Sequence, residues 1–384
     1  MPIRASSIRG NLRFWWRATR SSECSDFKSL LEKEGKIWGN TKNPSKVVIN
    51  TEITLQENRR SCSYLLSKKI GNELKDNQLK YFLFPFQENK KEEKPESDCI
   101  PNISFRLTIS YPVEYTLDIE SAIWAWTNFG GVGSRTRRGC GSLFCNDFAP
   151  DNPENVSEWY NLKIREYQIK PTYNHKWSEV PKEFILKKKN YDNSLQAWNE
   201  LAILFNKFRQ GEGVGRNKGQ ARNRPGRSLW PEPETLRRIY NKRERKNSRM
   251  EYIPDDAFPR AEFGLPIIFR FKDRNDPQEN IEVKPIYGNE EKRRMASPLI
   301  LKPLKCTDGN IIPIIMKLNS PKPDEIWVKG KEMSNIKISE PELSEYNNSP
   351  LRGINKEKKR SDSGSAVEAF MSYAKENGFI EGQR

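Results

Sequence analysis

Five glycines and three arginines fall within residues 130–141, between a stretch of helical periodicity and the apolar pair Leu143 and Phe144. A segment with Gly130, Gly131, Gly133, Gly139 and Gly141 cannot continue as a helix or a strand, because glycine gives up too much backbone entropy in either; it must turn. Glycine also leaves main-chain N–H groups uncovered, and successive uncovered N–H groups form an anion-binding concavity. Arg135, Arg137 and Arg138 add positive charge in the same place. A phosphate backbone calls for that combination, whereas base reading calls for Asn, Gln or exposed aromatics. The competing reading is a flexible glycine hairpin. The segment is not a Walker A loop, since no Lys-Ser/Thr follows its last glycine. Nor is it a dinucleotide fingerprint, since it follows a helix and is strongly basic.

The rest of the chain leans the same way. Its formal charge is +16, with 67 Lys and Arg against 51 Asp and Glu, which points to a polyanionic partner unless the protein is merely a soluble basic one. Only 35% of residues are hydrophobic, yet 10 Trp, 18 Phe and 13 Tyr exclude a disordered chain. The 384 residues leave room for two domains. A Pro-, Asp- and Asn-rich stretch at 149–157 suggests a boundary, giving an N-terminal domain 1–150 with the glycine loop and a C-terminal domain 151–384 with a basic loop and a terminal helix.

Ser6 or Ser7 can cap a helix over 8–20, with Ile8, Leu12, Trp15 and Thr19 on one side and Arg9, Arg13, Arg17 and Arg20 in a stripe beside it. A solvated basic face is the usual fate of such a stripe. Four arginines with no acid among them favour phosphate contact, since arginine pairs with phosphate bidentately. Strands are expected at 46–55, 81–86 and 103–109, with a mobile charged loop at 87–98. Helices are expected at 27–34, at 119–128 with Asp118 as cap, at 195–208, at 235–246 and at 365–377 with Gly378 as stop. A strand at 265–271 and a hairpin pairing 299–304 with 311–318 complete the pattern. The fold class is α+β, a sheet with helices packed on one face in the ferredoxin-like manner.

A second glycine–basic cluster spans 210–230 with Arg216, Lys218, Arg222, Arg224 and Arg227; it adds Trp230, which could stack on a base, though the segment could equally be disordered when free.

Little in the sequence suggests catalysis. The acids are dispersed, and the single histidine, His175, lies in a polar stretch that suits a solvated loop. Acid–base cleavage of RNA by Lys or Tyr remains open. The six cysteines are scattered without zinc-ligand spacing, so no metal or other cofactor is expected and the thiols are read as reduced, in the cytoplasm. No apolar run reaches bilayer-spanning length and no signal peptide opens the chain, so no membrane partner is expected.

Several segments together resemble one family. Pro2-Ile-Arg-Ala-Ser-Ser-Ile-Arg-Gly-Asn-Leu-Arg-Phe-Trp-Trp-Arg17 resembles the opening signature of the first subunit of Cmr effector complexes, the type III-B CRISPR machines. The glycine loop is similar to the one that defines their RAMP superfamily. Arg224-Pro-Gly-Arg-Ser-Leu-Trp-Pro-Glu232, Phe258-Pro-Arg-Ala-Glu-Phe-Gly-Leu-Pro-Ile267 and Met295-Ala-Ser-Pro-Leu299 extend the likeness over most of the chain. The resemblance implies two ferredoxin-like (RRM/RAMP-type) domains with long basic loops and a place in an antiviral ribonucleoprotein. The partners it implies are guide RNA, target RNA and other Cmr subunits, with RNA held near the guide 3′ end and target cutting left to other subunits. It also implies a strand ahead of the opening helix; almost nothing precedes Pro2, so a truncated start is expected. A RAMP endoribonuclease that processes precursor guide RNA is the alternative.

Overall fold

The computed structural model describes residues 3–67, 78–90, 93–170, 177–181, 184–219, 226–242, 257–271, 273–288, 290–323, 325–328, 338–339, 341–345, 349–353 and 359–382. His175 lies outside them. The protein mixes helix and strand, and it divides into two compact units. Unit 1 comprises Met1–Ile203, Ile300–Ser320 and Ile380–Arg384; unit 2 comprises Leu204–Leu299 and Pro321–Phe379. Residues 151–203 thus group with the N-terminal segment, joined by a returning hairpin.

Unit 1 opens with the helix Ala5–Arg20, which starts ahead of the expected serine caps; Arg4 occupies the N-cap position without a side-chain bond. The next helix, Phe27–Trp38, is a turn longer than its apolar pattern suggested, and a reciprocal Asp26–Ser29 capping box fixes its start. Strands Val48–Gln56 and Ile103–Ser110 pair antiparallel from Val48↔Ser110 to Gln56↔Ile103, with a bulge between Ile53 and Leu55. The alternating apolar pattern of 103–109 turns one row of side chains toward the core. Residues expected as a strand at 81–86 instead form the helix Leu79–Leu83 and a 3₁₀ turn Phe84–Phe86. So short an apolar run has no diagnostic period, and the helix buries Leu79, Phe82 and Leu83.

Helix Thr116–Phe129 packs along the opening helix, with Trp16 Nε1 donating to Asp118 Oδ1 at 2.6 Å and Thr19 Oγ1 lying 3.2 Å from Ser121 Oγ. Asp118 therefore ties two helices together and does not cap its own. Trp124, Phe129, Tyr160 and Phe184 form the aromatic centre of the unit, their rings meeting edge-on or tilted 4.9–6.2 Å apart. A four-stranded sheet, in the order Ile380–Glu381, Ile185–Leu186, Ile311–Lys317, Leu299–Lys305, contains the predicted hairpin.

Unit 2 has its own core. Strands Glu325–Val328, Ile281–Tyr287 and Ile267–Phe269 form an antiparallel sheet. Phe205, Phe208, Trp230, Phe263 and Phe370 make a second aromatic cluster. Helix Ala366–Glu376 is capped by Ser365, and the buried Glu262 accepts from Ser365 Oγ at 2.5 Å and Val367 N at 3.0 Å. Gly378 takes a positive φ of 86°, as the expected helix stop requires. Helix Glu232–Ile239 begins three residues ahead of the expected basic helix, whose end, with residues 243–250, lies outside the described residues.

Candidate nucleic-acid interface

The glycine loop starts where helix Thr116–Phe129 stops, and a buried lysine holds that stop. Lys302 is wholly buried on strand Leu299–Lys305, and its Nζ donates to Thr127 O at 2.7 Å and Gly130 O at 3.1 Å. These carbonyls lie at the negative end of the helix dipole, where a cation is favoured. Burial opposes the charge and pushes the Lys302 pKa down to about 7. The loop closes on itself through Val132 N to Gly141 O at 2.9 Å, and Trp126 Nε1 donates to Gly131 O at 3.1 Å.

Most of the glycines serve packing. A Cβ on Gly130 would lie 2.6 Å from Trp126 O and from Trp15 Nε1, and one on Gly141 would lie 1.9 Å from Val132 O. A Cβ on Gly131 would lie 2.7 Å from Gly141 O, and one on Gly139 (φ +84°) would lie 2.7 Å from Trp198 Nε1. Among the described residues, Gly133 alone of the five has no heavy atom within 4 Å of where its Cβ would be. The expectation of uncovered N–H groups is corrected in part: Gly130 N donates to Trp126 O and Gly139 N to Thr136 O, because the tight turn consumes its own donors.

The three loop arginines separate. Arg135 adopts a left-handed backbone (φ 57°), and its guanidinium lies 5.2 Å from the Phe84 ring centroid. Arg137 lies 5.1 Å from the Phe14 ring centroid. Among the described residues its Nη1 is buried without a hydrogen-bond partner, and burial lowers its pKa to about 10. A guanidinium stacked on an aromatic face with no acceptor for its inner donor is preorganised for an anion. Arg138 departs from the expectation: it is 8% exposed, and its carbonyl accepts from Trp198 Nε1 at 2.5 Å. It is held in the wall of unit 1, where that carbonyl anchors the loop.

The arginine stripe of the opening helix is only half what the sequence suggested. Arg13 Nε and Arg17 Nη1 both reach Glu34 Oε1, at 2.5 and 2.6 Å, and Glu34 is 2% exposed on the neighbouring helix. One carboxylate between two guanidiniums leaves one net positive charge, and both arginines keep about a third of their side-chain surface. Arg9 donates to Ser45 Oγ and to Val47 O at 3.0 Å. Arg20 turns inward, buried, onto Leu117 O at 2.6 Å. Nothing in the helix's own sequence announces Glu34, because that carboxylate arrives from another element. Phe14, Phe84 and Lys302 were also missed. A lone lysine inside the apolar run 299–304 was a readable signal for the last.

The second cluster belongs to unit 2 and is described by itself. Residues 211–219 and 226–230 bridge each other, with Asn217 N donating to Arg227 O at 2.8 Å and Leu229 N to Gly215 O at 2.9 Å. Arg216 Nη2 reaches Gln210 Oε1 at 3.3 Å, and Lys218 and Arg227 are exposed. Arg222 and Arg224 lie outside the described residues. Trp230 does not take the stacking role expected of it. It is 1% exposed, its Nε1 donates to Arg209 O at 2.9 Å, and Phe208 meets its ring at 5.5 Å. A ring so enclosed gains more from core burial than from stacking at the surface.

Among the described residues no group of three or more His, Cys, Asp or Glu could hold a metal ion. No described helix is long and apolar enough to cross a membrane.

Residues 1–144 match the model of the RAMP superfamily. The chain is 29% identical over 143 residues to the CRISPR system Cmr subunit Cmr1-1 of Pyrococcus furiosus, a match covering 37% of this chain and 40% of that protein. It is 26% identical over 152 residues to Cmr1-2 of the same organism, covering 36% of this chain and 80% of the relative. The crystal structure of apo Cmr1 from Pyrococcus furiosus superposes with a TM-score of 0.49 at 16% identity, covering 87% of this chain and 84% of the other. The matched segment contains the opening helix and the whole glycine loop; over it the chain is similar to the RAMP superfamily and to the two Cmr1 subunits, and it spans 40% of the length of the first of these relatives.

Proposed function

We propose that this protein is an RNA-binding subunit of a type III-B CRISPR (Cmr) complex, a cytoplasmic antiviral ribonucleoprotein, and that it holds guide or target RNA near the guide 3′ end. The observation that carries the reading is Arg137 of the glycine loop, its guanidinium over the Phe14 ring and its buried Nη1 without an acceptor among the described residues. Arg135 on Phe84, the open Gly133 and the exposed thirds of Arg13 and Arg17 lie on the same unit and extend it. Such a surface grips phosphates and is indifferent to base identity. Arg216, Lys218, Arg222, Arg224 and Arg227 would supply a second basic segment from unit 2.

Leaving aside the second helix and the short elements between the strands, helix Ala5–Arg20, the antiparallel strands Val48–Gln56 and Ile103–Ser110 and helix Thr116–Phe129 run in the order of the middle of a βαββαβ unit, which supports a ferredoxin-like reading of this half; the second ferredoxin-like domain is inferred from the family resemblance. The subunit binds and positions RNA, and cutting falls to other members of the assembly. Other Cmr subunits are its protein partners.

The test is a salt series of binding to single-stranded RNA by fluorescence anisotropy, with the full chain and its Arg135→Ala and Arg137→Ala variants. Each variant should weaken binding and flatten the plot of log affinity against log salt by about 0.7 for each single-strand phosphate that the protein ceases to neutralise. Unchanged affinity and slope in both variants would refute the assignment.

A further inference from the structure

Phe144 follows Gly141, the last glycine of the loop, by three residues, and it is 43% exposed. Leu143 and Phe148 on either side of it pack against the core of unit 1. With that packing supplied by its neighbours, a ring left this far in water adds little to the stability of the fold. The ring does have one companion: the Lys305 ammonium lies over it, 4.8 Å from its centroid. Lys305 is itself exposed, at the last position of strand Leu299–Lys305.

That strand also carries the glycine loop. A Cβ on Gly139 would lie 2.9 Å from Leu301 O, and Lys302 Nζ donates to Gly130 O. Lys305 stands three residues further along, roughly 10 Å at the ordinary rise of a strand. The exposed ring and its cation therefore lie only a few nucleotides' reach from the loop. Phosphate contact makes no use of an aromatic ring, since it needs charge and N–H donors. A flat apolar face beside an ammonium suits a ligand that joins a π face to an anion, and a nucleotide of an unpaired strand is such a ligand.

We infer that Phe144 and Lys305 form a base-stacking subsite, the ring holding one unpaired base and the ammonium a phosphate beside it. The inference rests on the RNA-binding reading and adds to it a contact with a base. Stacking on a ring accepts any base but requires that base to be unstacked from its own strand. The subsite thus selects a single strand over a duplex, which the phosphate-gripping loop does not.

The experiment compares wild type, Phe144→Leu, Phe144→Trp, Lys305→Met and Arg137→Ala as full chains. It measures thermal melting, anisotropy over a salt series with a fluorescein-labelled single-stranded RNA, and fluorescence quenching of the same RNA carrying 2-aminopurine. Phe144→Leu should melt as wild type does, bind about tenfold more weakly with an unchanged salt slope, and lose part of the quenching. Phe144→Trp keeps a stacking ring and should keep both affinity and quenching. Lys305→Met should flatten the salt slope by about 0.7. Wild-type affinity and quenching in Phe144→Leu, alongside weakened binding by Arg137→Ala, overturn this inference and leave the RNA reading standing. Equal losses in Phe144→Leu and Phe144→Trp overturn it too, since the ring would then matter only to the fold. A wild-type chain that binds no RNA overturns both readings. Full RNA affinity in Phe144→Leu with failed assembly onto the other Cmr subunits assigns the ring to a protein and also overturns it.

Discussion

Replacing Lys302 by methionine tests how the glycine loop is anchored. The ammonium of Lys302 is wholly buried, its two acceptors are the carbonyls of Thr127 and Gly130, and burial brings its pKa to about 7 from an ordinary 10.5. In the unfolded chain the lysine keeps its proton until about pH 10, whereas in the folded chain it releases it near neutrality. The unfolded state therefore binds more protons between those values, and stability rises with pH in that window. Integrating the difference from pH 7 to 9 gives about 2 kcal/mol from this one group, an order-of-magnitude figure. Methionine keeps the length of the side chain and has no such proton. It also leaves two buried carbonyls without their donor, costing roughly 1–3 kcal/mol each. Urea unfolding of both proteins at a series of pH values measures this, and other titrating groups cancel in the difference between them. The wild-type advantage should grow by about 2 kcal/mol between pH 7 and 9. A gap that stays constant over that range would refute the picture of a desolvated lysine held at the end of the helix.

Further outcomes follow from the other sites. Glu34→Gln removes the carboxylate shared by Arg13 and Arg17, so thermal melts should show a loss of about 1–3 kcal/mol while RNA affinity holds or rises; weaker RNA binding in a stable variant would contradict this. Trp230→Ala opens a hole in the core of unit 2 and should cost about 3–5 kcal/mol by denaturant unfolding. An unchanged unfolding curve with a specific loss of RNA affinity would restore Trp230 to a stacking role. Purified protein incubated with CRISPR repeat RNA without metal should leave it intact on a sequencing gel; defined cleavage products would favour the endoribonuclease alternative.

Elements with a long or clean period were legible from the residues alone. The opening helix, the alternating strand at 103–109, the hairpin joining 299–304 to 311–318 and the terminal helix with its Gly378 stop all appear, because their local patterns agree with their burial. The glycine loop was legible as a turn, and it lies within residues 1–144, which match the RAMP superfamily model. Short apolar runs were not: 81–86 has too few residues to carry a period, and burial of Leu79, Phe82 and Leu83 made it helical.

Tertiary structure alone decided which charges are free. Arg9, Arg13, Arg17 and Arg20 look alike along the chain, yet Glu34 takes up two of them from another helix and Arg20 is drawn inside. Trp230 beside arginines read as a surface ring, but Phe208 and Phe263 enclosed it. Conversely, Arg137 became the most distinctive cation of the loop only because Phe14, more than a hundred positions earlier, lies beneath it. Periodicity reports which face of an element is apolar. It carries no information about which distant carboxylate, carbonyl or ring that face will meet, and those long-range partners decide whether a basic residue is left available to an anion.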